Sequence, residues 1–337
     1  MRLNFIIYLL SIFCNQVISD SECYNVPSVS GDRRIDKTKL RIVQYNVEWL
    51  FIDYYTSSDC PGAGCTWVNQ TEAKMHLDNV SNVIRELDPD IINFCEIEGC
   101  DELNMLIGNL DNSYEPYLKK GKDSSTGQNV GMLTRIDPVV NLYRTEDRYN
   151  YPLEGSQCGY TGPSGDTGVS KHYITEYTIN NMKIAFISAH LLAFPTDPTR
   201  CAEREAQAMV LQNVINDYYI KGFEIIFMGD LNDFDGTVID ANNNIPTSRV
   251  LEILKTNGKY QLSSISENIV QSERYSDWYD QNNNCISSSN EFSMIDHILV
   301  SNGLRDKITN SYIYHGYEEY CGKYNSDHYP VVIDLLL

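Results

Sequence analysis

An acid and an imidazole stand side by side near the C-terminus, where Asp327 and His328 precede the apolar run Val331–Ile333. A carboxylate can ligate a hard divalent cation, and a neutral imidazole can accept a proton from water. Metal-assisted hydrolysis uses both groups. The pair alone is a weak signal, because a solvated acid next to a surface histidine is common. Its meaning depends on which other side chains the fold brings to the same place.

Similar polar side chains follow several other apolar, strand-like runs. They are Asn46, Glu96, His190, Asp230 and Asn232. Mg²⁺ prefers carboxylate and amide oxygens, which Glu96, Asp230, Asp327 and the amide of Asn46 or Asn232 offer. Asp296, inside a further strand-like run, is the candidate to hold one ring nitrogen of His328, so that the other can accept a proton. We therefore expect a metal-assisted hydrolytic site where the strands end.

Strand-like and helix-like segments alternate along the chain, without a repeat or a low-complexity linker, which favours one domain of packed sheets with flanking helices. The pattern predicts a strand pair, 173–179 and 182–190, joined by the turn Asn180–Asn181. A long amphipathic helix is expected over 201–219. Residues 139–143 and 292–300 are predicted to form strands, and residues 149–168 a long surface loop.

The N-terminus has the pattern of a signal peptide. Arg2 precedes the apolar run Phe5–Phe13, and small Ser19 follows. We expect residues 1–19 to be the signal peptide, 20–38 an N-terminal extension and 39–337 the catalytic domain. This predicts a secreted protein, or one in the lumen of the secretory pathway or a lysosome, without a stable membrane anchor.

Cysteine usage agrees with export, because disulfides persist in oxidising compartments. Nine cysteines remain once Cys14 leaves with the signal peptide, and the odd number leaves at least one thiol free or paired between chains. The pairs considered are Cys60–Cys65, Cys158–Cys201 and Cys285–Cys321. The sequons at Asn69 and Asn79 predict a glycoprotein if the secretory route is eukaryotic.

The net charge of −20 argues against broad electrostatic capture of nucleic acid or anionic membrane. It does not exclude a phosphodiester substrate, because a bound cation and a few local basic residues can reverse the potential in a cleft. The basic residues considered for contact with nucleic acid, against the alternative of ordinary solvated charge, are Lys119, Lys120, Lys122, Arg135, Arg144 and Arg148.

The order of these motifs resembles the endonuclease/exonuclease/phosphatase superfamily, the DNase I-like hydrolases, from about Leu40 to the C-terminus. The segments that carry the resemblance are Tyr45-Asn46-Val47, Cys95-Glu96-Ile97, Ser188-Ala189-His190-Leu191, Gly229-Asp230-Leu231-Asn232-Asp233, Ile295-Asp296-His297-Ile298 and Ser326-Asp327-His328-Tyr329-Pro330-Val331. The resemblance implies an α+β fold, a four-layer αββα sandwich of two packed mixed β-sheets flanked by helices, with the active site at one edge.

The resemblance also implies a role for each residue. Asn46, Glu96 and Asp327 match metal-site residues. His190, Asp230, Asn232, Asp296 and His328 match catalytic residues, with Asp230 and Asn232 positioning phosphate and nucleophile, and Asp296 orienting His328. Asn129 and Lys171 are looser matches to groups that contact the substrate phosphate, and Lys lacks the bidentate fork of Arg. The expected cofactor is Mg²⁺, with Mn²⁺ as an alternative and Ca²⁺ as a structural ion.

The leading hypothesis is a secreted, monomeric endonuclease that hydrolyses DNA, because His190 and the helix start at residues 198–208 resemble secreted nucleases. The alternative is a sphingomyelinase-like or inositol-phosphate phosphodiesterase or phosphatase of the same fold, in which the Tyr-rich segment 149–153 would be a membrane-entering hairpin. A third hypothesis, a non-catalytic binding module, fits poorly with a full set of metal and histidine positions.

Overall fold

Two β-sheets that pack face to face form the centre of the protein. The structure is a computed structural model and describes residues 22–52, 66–67, 69–282, 284–317 and 323–337. The strands are β1 (Lys39–Leu50), β2 (Ile91–Ile97), β3 (Glu115–Leu118), β4 (Asn129–Thr134), β5 (Tyr149–Tyr151), β6 (Gly165–Thr167), β7 (Lys171–Ile179), β8 (Met182–His190), β9 (Glu224–Asp230), β10 (Leu262–Ser264), β11 (Asp277–Trp278), β12 (Phe292–Ser293), β13 (Asp296–Ser301), β14 (Ile308–Ile313) and β15 (Val331–Leu336).

The first sheet has the strand order β14-β15-β1-β2-β4-β3, and the second has the order β10-β13-β9-β8-β7. Both sheets are mixed, because β1 and β2 run parallel in the first, and β8 and β9 run parallel in the second. Two short antiparallel pairs, β5 with β6 and β11 with β12, lie outside these sheets.

Helices cover the outer face of each sheet. They are α1 (Gln70–Leu87), α2 (Cys100–Asn109), α3 (Pro198–Ile220) and α4 (Val250–Lys255). The short α5 (Asn302–Arg305) instead places Leu304 in the buried cluster between the sheets. The side chains of α1 and α2 share a buried cluster with β1 and β2, and those of α3 and α4 share one with β8 and β9. The predicted four-layer αββα sandwich is therefore confirmed.

Strict alternation along the strands builds the layer between the sheets. On β1, Leu40 and Ile42 face the opposing sheet, whereas Val43, Tyr45 and Val47 face the helices. Side chains two residues apart on a strand share a face, so Gln44 and Asn46 also point between the sheets. The same rule carries polar groups at strand ends to the edge of this layer.

Three local predictions were wrong. Residues 139–143 do not form a strand, and Tyr143 makes only an isolated bridge to Ile174. The predicted surface loop at 149–168 contains the β5–β6 pair. The strand predicted over 292–300 is broken into β12 and β13, because Met294 and Ile295 interrupt the pairing. Short, half-exposed strands lack the alternation that reveals longer ones.

Disulfides tie the N-terminal segment and α3 to the rest of the fold. Cys158 and Cys201 form one of the predicted pairs, with 5.5 Å between their Cα atoms. Cys23 pairs with Cys100, which the sequence did not predict. Cys95 is a buried free thiol, and Cys285 is disulfide-bonded. The predicted signal peptide and three cysteines, Cys60, Cys65 and Cys321, lie outside the described residues. Within the described residues, no helix is long and apolar enough to cross a membrane.

Candidate active site

A row of polar side chains crosses the second sheet at the edge where β8 and β9 end. His190 closes β8 and is paired with Asp230, which closes β9. Asp230 is paired in turn with Asp296, the first residue of β13, and Lys171 of β7 is the cross-strand partner of His190. Paired residues have neighbouring side chains on one face of a sheet, so backbone register alone places these groups side by side.

The approach of β8 to β9 in this row depends on a glycine. Gly229 has φ +153°, and a Cβ built there would lie 1.8 Å from the carbonyl oxygen of Ala189. Any other residue would push the two strands apart just before Asp230. The Gly-Asp pair of the sequence motif thus has a packing reason that is separate from the chemistry of Asp230.

The first sheet adds Asn46 and Glu96 to this edge. The amide nitrogen of Asn46, Nδ2, donates to Oε1 of Glu96 at 3.1 Å and to Oδ2 of Asp230 at 2.9 Å. Strict alternation would point Glu96 toward the helices, but its φ of +68° and a register shift between β1 and β2 turn it to the edge. Five of the predicted residues, from both sheets, therefore meet: Asn46, Glu96, His190, Asp230 and Asp296.

His328 contacts Asp296, as predicted. Nδ1 of His328 lies 2.7 Å from Oδ2 of Asp296, and both side chains are buried. Because a carboxylate oxygen accepts, Nδ1 carries the proton, and Nε2, which lies 3.4 Å from Nδ2 of Asn46, is left as an acceptor. Neither Arg274 nor Arg305 competes for Asp296 as an ion-pair partner, because Arg274 donates to the carbonyls of Ile239 and Ile269, and Arg305 donates to Glu267.

Hydrogen bonds to backbone groups hold the Asp327–His328 loop in place. The Trp278 backbone N–H donates to the carbonyl of Asp327 at 3.0 Å, and the Tyr329 N–H donates to the carbonyl of Ser276 at 2.7 Å. The Ser326 hydroxyl donates to the carbonyl of Asn46 at 2.8 Å. The loop is therefore fixed to β1 of the first sheet and to the segment of β11, and its side chains are held near Asp296 and Asn46.

Negative charge is concentrated around His328. Burial, together with the charge of neighbouring Asp296, raises the pKa of Asp230 to about 8. Burial likewise raises the pKa of Asp327 to about 7, with Asp277 and Glu96 adding repulsion. Although burial alone would lower the pKa of His328, Asp296 and Asp327 hold it well above its ordinary value. The chain thus assembles acids that repel one another unless a cation compensates them.

These groups fit a divalent cation. Oδ1 of Asp327 is buried and has no hydrogen-bond partner among the described residues. Glu96, His190 and Asp230 have ligand atoms within 4.8 Å of one another, and so do Asp277, Asp327 and His328. A hard cation would bind the unpaired Oδ1 of Asp327 and would offset the repulsion between the acids. The Asn46 amide turns Nδ2 rather than its oxygen toward Glu96, so its role as an oxygen ligand stays a prediction.

His190 is buried and neutral. Its Nε2 lies 3.5 Å from Oδ2 of Asp230 and 3.9 Å from Oε1 of Glu96, which supplies the acid neighbours that the sequence did not identify. Burial, with the positive charges of Lys171 and His328, holds the pKa of His190 well below its ordinary value. Its Nδ1 has no hydrogen-bond partner in the described part of the chain. A neutral imidazole in this position can donate one N–H bond to a ligand.

The two looser phosphate candidates differ in placement. Nζ of Lys171 lies beside His190 in the sheet, 3.1 Å from Oε1 of Gln128 and 3.6 Å from Oδ2 of Asp123. The Asn129 amide binds backbone groups instead, donating to the carbonyls of Glu98 and Gly127. Lys171 therefore adjoins the site, whereas Asn129 braces the adjoining loop. Asn232, with φ +49°, donates its backbone N–H to Asp230 at 3.0 Å.

The predicted basic stretch is largely neutralised. Five of its six members are engaged by acids or backbone carbonyls, and an engaged cation contributes less to capture of a distant anion. The partners are Glu22 for Lys119, Glu146 for Lys122, Asp88 and Asp111 for Arg135, Val169 and Ser170 carbonyls for Arg144, and Asp166 for Arg148.

Two further acids at the site were missed from the sequence. Glu48 is buried, with φ +44°, and its Oε2 accepts the Asp327 backbone N–H at 3.1 Å. Burial and the charge of Asp327 raise the pKa of Glu48 well above its ordinary value. Oδ1 of Asp277 lies 3.7 Å from Nε2 of His328. Neither acid ends a long apolar run, so the signal that marked the other residues does not apply to them.

Solved structures share this fold at low sequence identity. Truncated TDP2 from Caenorhabditis elegans is 15% identical, with a TM-score of 0.53 over 90% of this chain and 100% of that chain. The endonuclease/exonuclease/phosphatase from Bacteroides vulgatus is 15% identical, with a TM-score of 0.54 over 89% and 99%. The human Nocturnin catalytic domain with bound sulfate is 17% identical, with a TM-score of 0.51 over 91% and 96%. These likenesses concern the fold alone.

The sequence itself carries the family assignment. No curated protein sequence matches the chain. The sequence profile of the Endonuclease/Exonuclease/phosphatase family matches residues 43–328, which span nearly the whole fold and every residue of the candidate site. Members of this family are hydrolases that act on phosphoester bonds with divalent metals. The chain therefore belongs to the Endonuclease/Exonuclease/phosphatase family.

Proposed function

We propose that this protein is a secreted, divalent-metal-dependent phosphodiesterase, and that it acts as an endonuclease on DNA. One observation supports the chemistry above all others: the buried His328–Asp296 pair, at 2.7 Å, opens onto Asp230, Asn46 and Glu96 where the two sheets meet. That arrangement combines an oriented imidazole with acids able to hold a cation.

Glu96 and Asp327 would hold the metal, with Asn46 nearby. A bound Mg²⁺ or Mn²⁺ ion neutralises charge on the phosphoryl oxygens and makes water more acidic. The mutual repulsion of the acids and the orphaned Oδ1 of Asp327 support this assignment. Glu48 and Asp277 lie close enough to Asp327 and His328 to orient them.

His328 would take the proton of the attacking water, which Asp230 and Asn232 would position. Asp296 keeps the proton of the ring on Nδ1, so Nε2 is the accepting atom. Without a cation, the surrounding acids keep His328 protonated. Positive charge held by Glu96 and Asp327 would lower the pKa of His328 and restore the neutral form that can accept a proton.

His190 would donate a hydrogen bond to the phosphoryl group. Its low pKa means that it acts as a neutral N–H donor and not as a cationic acid. A fixed donor in a buried site is worth more to a developing charge than one exposed to water. Lys171, its cross-strand neighbour, would add positive charge on the same side.

DNA is favoured over a lipid substrate because the segment considered as a membrane hairpin packs inward. Tyr149 and Leu153 contact the buried cluster beneath α3, and Tyr151 packs against Tyr160 near the Cys158–Cys201 disulfide. An aromatic hairpin that enters membranes needs its rings in solvent. Inositol phosphates remain the alternative substrate class, because the same groups would serve a phosphomonoester. The disulfides are compatible with an extracellular protein.

A side-by-side substrate assay tests the proposal. Purified protein is incubated with supercoiled plasmid DNA, sphingomyelin vesicles and an inositol polyphosphate, each with Mg²⁺, Mn²⁺ or chelator. We expect plasmid nicking that needs the metal and little turnover of the other two substrates. Intact plasmid together with efficient cleavage of sphingomyelin or inositol phosphate would replace DNA by that substrate while keeping the fold and the metal chemistry.

A further inference from the structure

Three polar side chains interrupt the apolar layer between the sheets, directly behind the His328–Asp296 pair. Gln44 of β1, Asn93 of β2 and Tyr173 of β7 are each fully buried. Flanking residues on the same faces include the apolar Ile42, Ile91 and Cys95, and buried polar groups are costly unless their hydrogen bonds are all made. Such groups in a core therefore call for a structural or functional explanation.

These side chains form one continuous chain of hydrogen bonds that ends on Asp296. The Tyr173 hydroxyl donates to Oδ1 of Asn93 at 2.7 Å. Nδ2 of Asn93 donates to Oε1 of Gln44 at 2.5 Å, and Nε2 of Gln44 donates to Oδ1 of Asp296 at 3.1 Å. The chain starts in the second sheet, passes through two strands of the first, and returns to the second.

The direction of every bond is fixed by the carboxylate. The Asp296 carboxylate accepts from His328 and from Ser276, and a carboxylate oxygen accepts from Gln44 as well, so Gln44 must turn its amide nitrogen toward it. The Gln44 oxygen must then accept from Asn93, and the Asn93 oxygen must accept from Tyr173, whose hydroxyl can donate. Reversing any one bond would leave two donors or two acceptors facing each other in a dry core.

We propose that Gln44 is a positioning residue for catalysis, supported by Asn93 and Tyr173 behind it. Gln44 occupies Oδ1 of Asp296, and the Ser276 hydroxyl donates to Oδ2 at 2.9 Å. With one oxygen engaged from behind, the carboxylate cannot rotate away, and Oδ2 stays on Nδ1 of His328. This inference rests on the proposed function, because it assigns Gln44 to the His328–Asp296 pair on which that function depends.

The test compares three variants with the wild type. Gln44→Met keeps the length of the side chain but removes the donor to Asp296. Tyr173→Phe removes only the far end of the chain. Thr134→Val is the matched control, because Thr134 is equally buried in the same sheet and its hydroxyl donates to the carbonyl of Ile136, away from Asp296. Thermal melts establish that all three fold.

Steady-state kinetics with a small chromogenic phosphodiester and Mg²⁺ give kcat and KM separately. We expect Gln44→Met to lower kcat by about 10- to 100-fold, as is typical when a partner that orients a site residue is lost, with KM little changed. Tyr173→Phe should lower kcat less than Gln44→Met does. Thr134→Val should leave kcat unchanged even where it lowers the melting temperature as much. Equal kcat values for Gln44→Met and Thr134→Val would overturn the inference.

Proton NMR of the His328 ring N–H supplies a readout that does not need activity. The wild type should show the hydrogen-bonded Nδ1–H of His328 as a slowly exchanging, far-downfield proton, and Gln44→Met should weaken or broaden it. An unchanged signal in Gln44→Met would count against the positioning role. If the wild type shows this signal but hydrolyses no phosphodiester, the proposed function fails, while the link between Gln44 and the pair is still decided by the NMR result.

Discussion

Asp296→Asn is the substitution that most sharply separates catalysis from folding in this site. Asp296 is fully buried and accepts from three groups: Gln44 at 3.1 Å, Ser276 at 2.9 Å and His328 at 2.7 Å. Asparagine has nearly the same shape, but one of its two terminal atoms is a donor. The result therefore depends on which oxygen the amide nitrogen replaces.

If the nitrogen replaces Oδ2, it faces Nδ1 of His328, which must then give up its proton, and Nε2 is no longer an acceptor. The analogous change in a serine-protease triad lowers kcat by about 10⁴. If the nitrogen replaces Oδ1, it faces Gln44 instead, and only the charge behind His328 is lost. General-base catalysis contributes at least about 10²-fold to the rate. We therefore expect Asp296→Asn to lower kcat by a factor between about 10² and 10⁴. This is a loss of about 3–5 kcal/mol of transition-state stabilisation.

The assay is kcat for a chromogenic phosphodiester at saturating Mg²⁺, with a urea unfolding curve for each variant. Asp137→Asn is the control, because Asp137 is also buried and is held by Arg33 and Tyr117, away from the site. It should lower stability without changing kcat. If Asp296→Asn stays within about threefold of wild-type kcat, His328 does not need this carboxylate, and the proton-transfer role assigned to it is wrong.

Three further predictions concern stability. The pKa of Asp230 is raised from 3.8 to about 8, so its contribution to stability is present below pH 4 and is lost as the pH rises toward 8. Without metal, Asp230 alone should lower stability by about 1.4 kcal/mol per pH unit across that window, in addition to the effect of Asp327, which has the same sign, and Asp230→Asn should reduce the slope by that amount in calorimetry with chelator. Fully buried Arg204 binds Asp233 and the backbone carbonyls of residues 192–195, which follow His190. Arg204→Met should therefore lower the free energy of unfolding by about 3–5 kcal/mol and expose residues 192–195 to limited proteolysis. Resistance to proteolysis equal to that of the wild type would contradict this role. Removing the Cys158–Cys201 disulfide, which spans 43 residues, should cost about 2–4 kcal/mol in urea unfolding, and an unchanged midpoint would contradict its role in holding α3.

The strand-end residues could be found from sequence because each follows a long apolar run. Such a run marks a central strand, and parallel neighbours, such as β1 with β2 and β8 with β9, end at the same edge of a sheet. Asn46, Glu96, His190 and Asp230 were found in this way, and the structure brings all four into one cluster. Asp296 was named as the candidate partner of His328 from residue chemistry, the resemblance implies the same role, and the structure places the two side chains 2.7 Å apart.

The residues that were missed do not follow such runs. Asp277 lies in the two-residue strand β11, and Glu48 lies where β1 departs from regular geometry, so neither has a periodic signal. Gln44 and Asn93 stand out only as polar interruptions of apolar strands, which mark a buried network but not its partner. Their connection to Asp296 depends on how the two sheets pack, which the pattern along one chain does not determine.

The most direct test of the account is plasmid nicking by the wild type and His328→Ala, with Mg²⁺ and with chelator. Circular dichroism of the variant confirms that it folds. We predict that the wild type converts supercoiled plasmid to the nicked form with Mg²⁺ and not with chelator, and that His328→Ala loses at least about 10²-fold in rate. Nicking that persists in chelator, or a His328→Ala rate equal to that of the wild type, would contradict metal-dependent hydrolysis at this site.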